Sequence, residues 1–173
     1  PNTVLTVVSS YPYALGEAME LLPAILYTTH AGPELGNAVA DTLLGKNNPA
    51  ARCPITWYRS AQDLPDIMEY DIISAERTYL YDTVEPLFPF GHGLSYSSFV
   101  YRDFTAEEKP EGMLFRLTVE NTSQRDGDEV VQLYYRALHP RVKRPLRQLC
   151  GFQRVPVPAN TAVPVTIFVP WYA

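Results

Sequence analysis

Pro86-Leu-Phe-Pro-Phe-Gly-His-Gly-Leu-Ser-Tyr96 is the stretch on which the fold turns, because the apolar period of the chain differs on its two sides. Its prolines fix the backbone, Gly91 and Gly93 permit tight or left-handed turns, and Phe88, Phe90 and Tyr96 bring apolar bulk to a seam between two units. A buried structural loop is the favoured reading; a sugar-facing loop with His92 as hydrogen-bond donor is the lesser one. Upstream, strand and helix signals alternate. Val4 to Val8 is a β-branched run, Ala14, Leu15, Ala18, Met19 and Leu22 recur at helical spacing, and Ala24 to Tyr27 is a second apolar run. Pro33 suits a first helical position, Leu35, Ala38, Val39, Thr42 and Leu43 form one stripe, and Gly45 suits the cap after it. A further strand over Pro54 to Tyr58 completes a βαβαβ pattern, which implies parallel strands with helices on the faces of the sheet. Gln62 to Leu94 reads as irregular apart from an extended piece at Thr78 to Tyr81.

Downstream the period becomes two. Phe99 to Phe104, Met113 to Glu120, Glu129 to Tyr135, Leu146 to Val155 and Val163 to Val169 alternate apolar and polar residues, with Asn121 to Asp128 as a tight connection. Several short strands at this spacing predict a β-sandwich. The fold class is therefore α/β followed by all-β: a partial parallel α/β sandwich over residues 1–96 and an immunoglobulin-like β-sandwich over residues 97–173.

Composition narrows the function. The 173 residues hold 14 Lys plus Arg and 19 Asp plus Glu, a net charge of −5. This balance argues against a nucleic-acid partner, and no apolar run reaches the roughly 18 residues of a membrane span, so no membrane partner is expected. Charge is uneven. Residues 1–96 carry 4 basic and 11 acidic side chains and residues 97–173 carry 10 and 8. No acid follows Glu129, and the basic run from Arg136 to Arg147 reads as a solvated loop, broken by Pro140 and Pro145. Pro1 to Ser10 lacks the basic start and cleavage site of a signal peptide, which favours a cytoplasmic location. Cys53 and Cys150 lack CxxC spacing and read as two unpaired buried thiols. His30, His92 and His139 are too scattered for a metal site, so neither metal nor cofactor is expected. Gly91-His-Gly-Leu-Ser95 matches neither the Gly-x-Ser-x-Gly nucleophile elbow nor a dinucleotide loop. Asn121-Thr-Ser123 fits a glycosylation sequon but is uninformative without a secretion signal.

The string PLFPFGHGLSYSSFVY (residues 86–101) resembles the end of the α/β-sandwich domain of glycoside hydrolase family 3, the β-glucosidase and β-xylosidase family. Asn2 to Ser10, Ala24 to Gly45 and Asn48-Pro-Ala-Ala-Arg-Cys-Pro-Ile-Thr56 resemble earlier pieces of that domain in the family's order. Leu117 to Val157, including Gly127-Asp-Glu-Val-Val-Gln-Leu-Tyr134 and Leu149-Cys-Gly-Phe-Gln-Arg154, resembles the family's fibronectin type III-like domain. The resemblance implies hydrolysis of terminal non-reducing β-D-glucosides or xylosides with retention, by an Asp nucleophile on a barrel strand and a Glu acid/base on a loop of the sandwich domain. A barrel of about 250 residues does not fit in this chain. No Ser-Asp-Trp segment occurs, and the family's acid/base lies upstream of the strand at Val4, so no residue here is assigned as catalytic. Glu34 matches the family's helix-start Glu and reads as a structural acceptor. Asp71, Glu76 and Arg77 resemble the family's Tyr-x-Glu-Gly-x-x-x-Gly-Tyr-Arg-Tyr region, with Ser74 and other residues in place of its glycines.

Ligands of open α/β sheets sit at the carboxyl ends of the strands, which here means Ser9-Ser-Tyr11 and Thr28-Thr-His30. Tyr11, His30, Tyr70 and Asp71 are the substrate-binding candidates. The family continues past Trp171 with further strands, so the chain reads as a piece of a larger protein whose remainder, the barrel domain, is its partner. The alternative reading is a non-catalytic carbohydrate-binding or scaffolding module. A nucleotide-binding domain is a distant third, since no phosphate loop is present.

Overall fold

The structure is a computed structural model that describes residues 2–16 and 18–172. It divides into two compact units, one formed by residues 1–44 and 53–92 and the other by residues 45–52 and 93–173.

In the first unit, strands β1 (Val4–Val8) and β2 (Ala24–Thr28) pair in parallel with Val4 opposite Ala24 and Val8 opposite Thr28. The expected helix over residues 14–22 contracts to one turn, α1 (Ala18–Leu21), with Leu22 N donating to Ala18 O. Helix α2 (Leu35–Leu43) forms where its apolar stripe predicts, and Gly45 follows it with φ +70°, the left-handed conformation that lets a helix stop. Glu34 stands at the N-cap but makes no side-chain cap there. Its Oε2 accepts from Asn37 Nδ2 at 2.5 Å instead. Two expected elements are corrected. Pro54 to Tyr58 is not a third parallel strand: it forms one antiparallel bridge, Trp57 with Phe88. Pro86 and Pro89 in the partner stretch carry no amide donor, which limits a longer ladder. Thr78–Tyr81 is a helical turn, α3, rather than extended backbone, and Asp82 N closes it on Thr78 O.

Bulk in this unit gathers around Trp57, which is 1% exposed. Tyr27 meets it edge-on with ring centroids 4.9 Å apart, and Phe88 does so at 6.0 Å. Phe88 stacks on His92 at 5.0 Å, and Tyr79 on Phe90 at 4.1 Å. Backbone bonds from Cys53 N to His92 O and from Gly91 N to Cys53 O tie the same two segments together. The Phe-Pro-Phe-Gly-His stretch is thus a packing element.

The second unit is a sandwich of β3 (Phe99–Lys109), β4 (Gly112–Asn121), β5 (Gly127–Tyr135), β6 (Gln148–Val157) and β7 (Ala162–Pro170). One sheet runs β3-β4-β7 and the other β5-β6, all antiparallel. Alternate residues point inward, so Leu117, Val119, Val131, Val155, Val157, Val165 and Ile167 form one core. Strand β3 lies at an edge. A register shift between Arg102 and Thr105, with Asp103 at φ +55°, and charged outward residues blunt it against further pairing.

Residues 45–52 belong to the second unit although they follow α2 directly. Asn48 donates through Nδ2 to Ser97 Oγ at 2.8 Å and to Asp126 O at 2.9 Å, and its Oδ1 accepts from Ser95 Oγ and Tyr96 N. The Arg125 guanidinium donates to Gly45 O and Asn47 O. Arg52 pairs with Glu129 at 2.6 Å, with side chains only 13% and 10% exposed, and Tyr101 donates to the other Glu129 oxygen at 2.8 Å.

Candidate functional site

Parallel pairing brings the loops after β1 and β2 to one end of their sheet. Ser9 N donates to Thr28 O at 3.0 Å and extends the register by one step. Ser9 itself is buried: its Oγ accepts from Tyr11 N and its carbonyl accepts from Tyr27 hydroxyl, each at 3.0 Å. This turn leaves Tyr11 73% exposed beside the strand ends, and His30 is exposed at the end of the neighbouring loop. The first two candidates therefore share one sheet end.

Tyr70 and Asp71 lie instead on the 64–77 loop. Tyr70 is 81% exposed. Asp71 is committed to the turn after it, its Oδ1 accepting from Ile73 N at 2.9 Å and Ser74 N at 3.4 Å. No described contact joins this pair to Tyr11 and His30.

A surface cavity of about 300 Å³ is lined by, among others, Tyr58, Asp63, Ser74, Glu76, Asp82 and Thr83. Its three carboxylates do not form a free catalytic pair. Asp63 accepts from Ser60 N, Glu76 from Thr83 Oγ1 and Asp82 from Val84 N. Burial first, and the neighbouring Asp82 carboxylate second, push the Tyr58 phenol up to about 12. Glu76 in the lining, at φ +50°, has a backbone conformation uncommon for a residue with a side chain.

The two cysteines are free, and half-buried rather than buried. Burial raises both thiols, and Cys150 Sγ donates to Leu133 O, so neither is primed as a nucleophile. Among the described residues, no three His, Cys, Asp or Glu side chains gather as a metal site, and no helix is long and apolar enough to cross a membrane. Asn121 is fully buried. Its Nδ2 donates to Arg125 O and Val157 O, so the sequon's nitrogen is occupied in the folded unit.

The description "Glycosyl hydrolase family 3 C-terminal domain" fits residues 1–96, more than half of the chain. The chain belongs to glycoside hydrolase family 3. The model of the fibronectin type III-like domain fits residues 129–173. The chain is 37% identical to a probable β-glucosidase J of Aspergillus fumigatus over 98% of its own length, and 38% identical to a xylan 1,4-β-xylosidase of Xylanibacter ruminicola over 85%. It spans only 22% and 17% of the lengths of these family 3 relatives. Among solved structures, β-glucosidase from Kluyveromyces marxianus superposes with a TM-score of 0.88 at 30% identity, covering 98% of this chain and 22% of that one. β-Glucosidase 3B from Thermotoga neapolitana, solved with glucose, superposes at 0.86 with 26% identity, covering 96% and 26%. The chain thus carries the C-terminal domain of glycoside hydrolase family 3 and a fibronectin type III-like domain.

Reasoning from sequence missed Trp57, Asn48 and the trio Arg52, Glu129 and Tyr101. Trp57 offers the one signal that was readable, a lone Trp between two apolar segments. The others are polar residues whose partners lie 28 to 78 positions away.

Proposed function

We propose that this chain supports the active site of a retaining β-glycosidase that removes terminal non-reducing β-D-glucosyl or β-D-xylosyl units, with nucleophile and acid/base carried outside residues 1–173. The observation behind this reading is the match of nearly the whole chain to about a fifth of a β-glucosidase, together with carboxylates in its cavity that are all engaged locally. The remainder of the parent polypeptide, a barrel domain, is the partner. On the supporting side we assign Tyr11, His30, Tyr70 and Asp71 to the sugar. The two tyrosines offer exposed rings for stacking, His30 a ring nitrogen, and Asp71 a carboxylate on an exposed loop. Along the sequence we assign residues 1–96 to the α/β sandwich and 97–173 to the fibronectin type III-like domain, with residues 45–52 and 93–96 belonging spatially to the second compact unit.

The test is hydrolysis of aryl β-glucoside and aryl β-xyloside. The 173-residue chain alone is expected to be inert, and turnover by it would overturn the supporting role. In the full-length polypeptide, Tyr11→Ala is expected to raise KM up to about tenfold, the worth of one stacked ring, with kcat changed less.

A further inference from the structure

Residues 64–77 combine local order with apolar exposure. Met68 N donates to Asp66 Oδ1 at 2.9 Å, Asp71 N to Glu69 Oε1 at 2.8 Å, and Ile73 N to Asp71 Oδ1 at 2.9 Å. The Arg77 guanidinium reaches back to the carbonyl oxygens of Asp66 and Glu69, the latter at 2.9 Å. These bonds define a locally hydrogen-bonded backbone that turns its apolar side chains to solvent. Leu64, Ile67, Met68 and Ile72 are 54%, 80%, 71% and 45% exposed. A single apolar residue in water needs no explanation, but four within nine positions on a preorganised loop make a patch that gains about 25 cal/mol for each Å² it buries. Order before contact also lowers the entropy cost of binding.

We propose that the 64–72 loop is the docking surface for the part of the parent polypeptide that lies outside these 173 residues, with Ile67 and Met68 as its anchors. This rests on the function proposed above. Two observations name the occupant. The β-glucosidase relative matched over 98% of this chain has 78% of its length outside the match, so covalently linked polypeptide is at hand. The loop also flanks Ile67 and Met68 with Asp66 and Glu69, so the covering surface is apolar at its centre and carries Lys or Arg at its margin, while Asp71 stays with the sugar. Tyr70 is left out of the anchor set, available to sugar.

The experiment is hydroxyl-radical footprinting of the isolated chain and of the full-length polypeptide from the same reading frame, read at Met68, with Met113 on β4 as the internal reference. Met68 oxidation is expected to fall at least tenfold in the full-length protein while Met113 is unchanged; equal Met68 oxidation in both overturns the docking. In a second arm, Ile67→Asp with Met68→Lys leaves the urea midpoint of the isolated chain unchanged and lowers that of the full-length protein. An unchanged full-length midpoint also counts against docking. Aryl glycoside hydrolysis by the unsubstituted full-length protein is scored separately. Protection without hydrolysis keeps the docking and removes the function, hydrolysis without protection does the reverse, and a reading frame confined to these 173 residues removes both.

Discussion

Glu129 is the residue on which most of the buried electrostatics converge. One oxygen meets Arg52 at 2.6 Å and the other accepts from the Tyr101 phenol. A buried pair of this kind is weak evidence for net stability, but removing one partner strands the other charge. Arg52→Met is therefore expected to destabilise the protein by about 3–5 kcal/mol, and Arg52→Met with Glu129→Leu by clearly less. Urea denaturation of the two variants measures the difference. Tyr101 adds a pH dependence. Burial, then the Glu129 hydrogen bond and charge, raise its phenol well above the ordinary range against the opposing pull of Arg52. An unfolded phenol ionises near pH 10, so the contribution is complete below about pH 10 and is lost as pH rises beyond it. Stability should decline above about pH 10, and less so in Tyr101→Phe, when midpoints are followed from pH 8 to 11.

At the scale of elements, β4 to β7 keep the boundaries that alternation implies to within two residues, because each buries alternate residues on a single face, whereas β3 runs five residues beyond the expected Phe104 to Lys109. Val119 on β4 and Val165 on β7 are almost wholly buried in the shared core. Val165→Ala is expected to cost about 2 kcal/mol through lost methyl burial and the cavity left behind, read by thermal denaturation. The short elements of the first unit behave otherwise. Helix α1 is only four residues long, and Pro54 to Tyr58 keeps one bridge, its Trp57 being placed by aromatic contacts with Tyr27 and Phe88. Gly112 shows how close strands can run: a Cβ there would stand 2.2 Å from Val169 O. Gly112→Ala should therefore unpair the start of β4 from β7, visible as faster amide exchange at Met113 and Val169.

At the scale of the whole molecule the two units differ in core. The sandwich has seven buried apolar residues in one cluster, whereas the first unit centres on Trp57 and Tyr81 among half-buried neighbours. Lower burial means lower local stability. Urea is expected to change the fluorescence of Trp57 before it removes the far-ultraviolet signal of the sandwich strands, with Trp57→Phe identifying the early phase against exposed Trp171. Coincident transitions would show that the units unfold together.

The sequence alone determined that α/β gives way to all-β near Tyr96, which strands fill the sandwich, where α2 stops, and that the chain resembles glycoside hydrolase family 3 without room for a catalytic barrel. Those features are written in local period, in glycine and proline placement, and in contiguous motifs. Tertiary structure alone decided that residues 45–52 join the second unit, that Arg52, Tyr101 and Glu129 meet, that Asn121 is buried with its amide hydrogen-bonded, and that Tyr11 and His30 share one sheet end while Tyr70 and Asp71 lie on another loop. The physical reason is the same in each case. A polar side chain carries no periodic signal, and its partner, 28 to 78 residues away in these networks, is selected by backbone geometry that exists only after the core has closed.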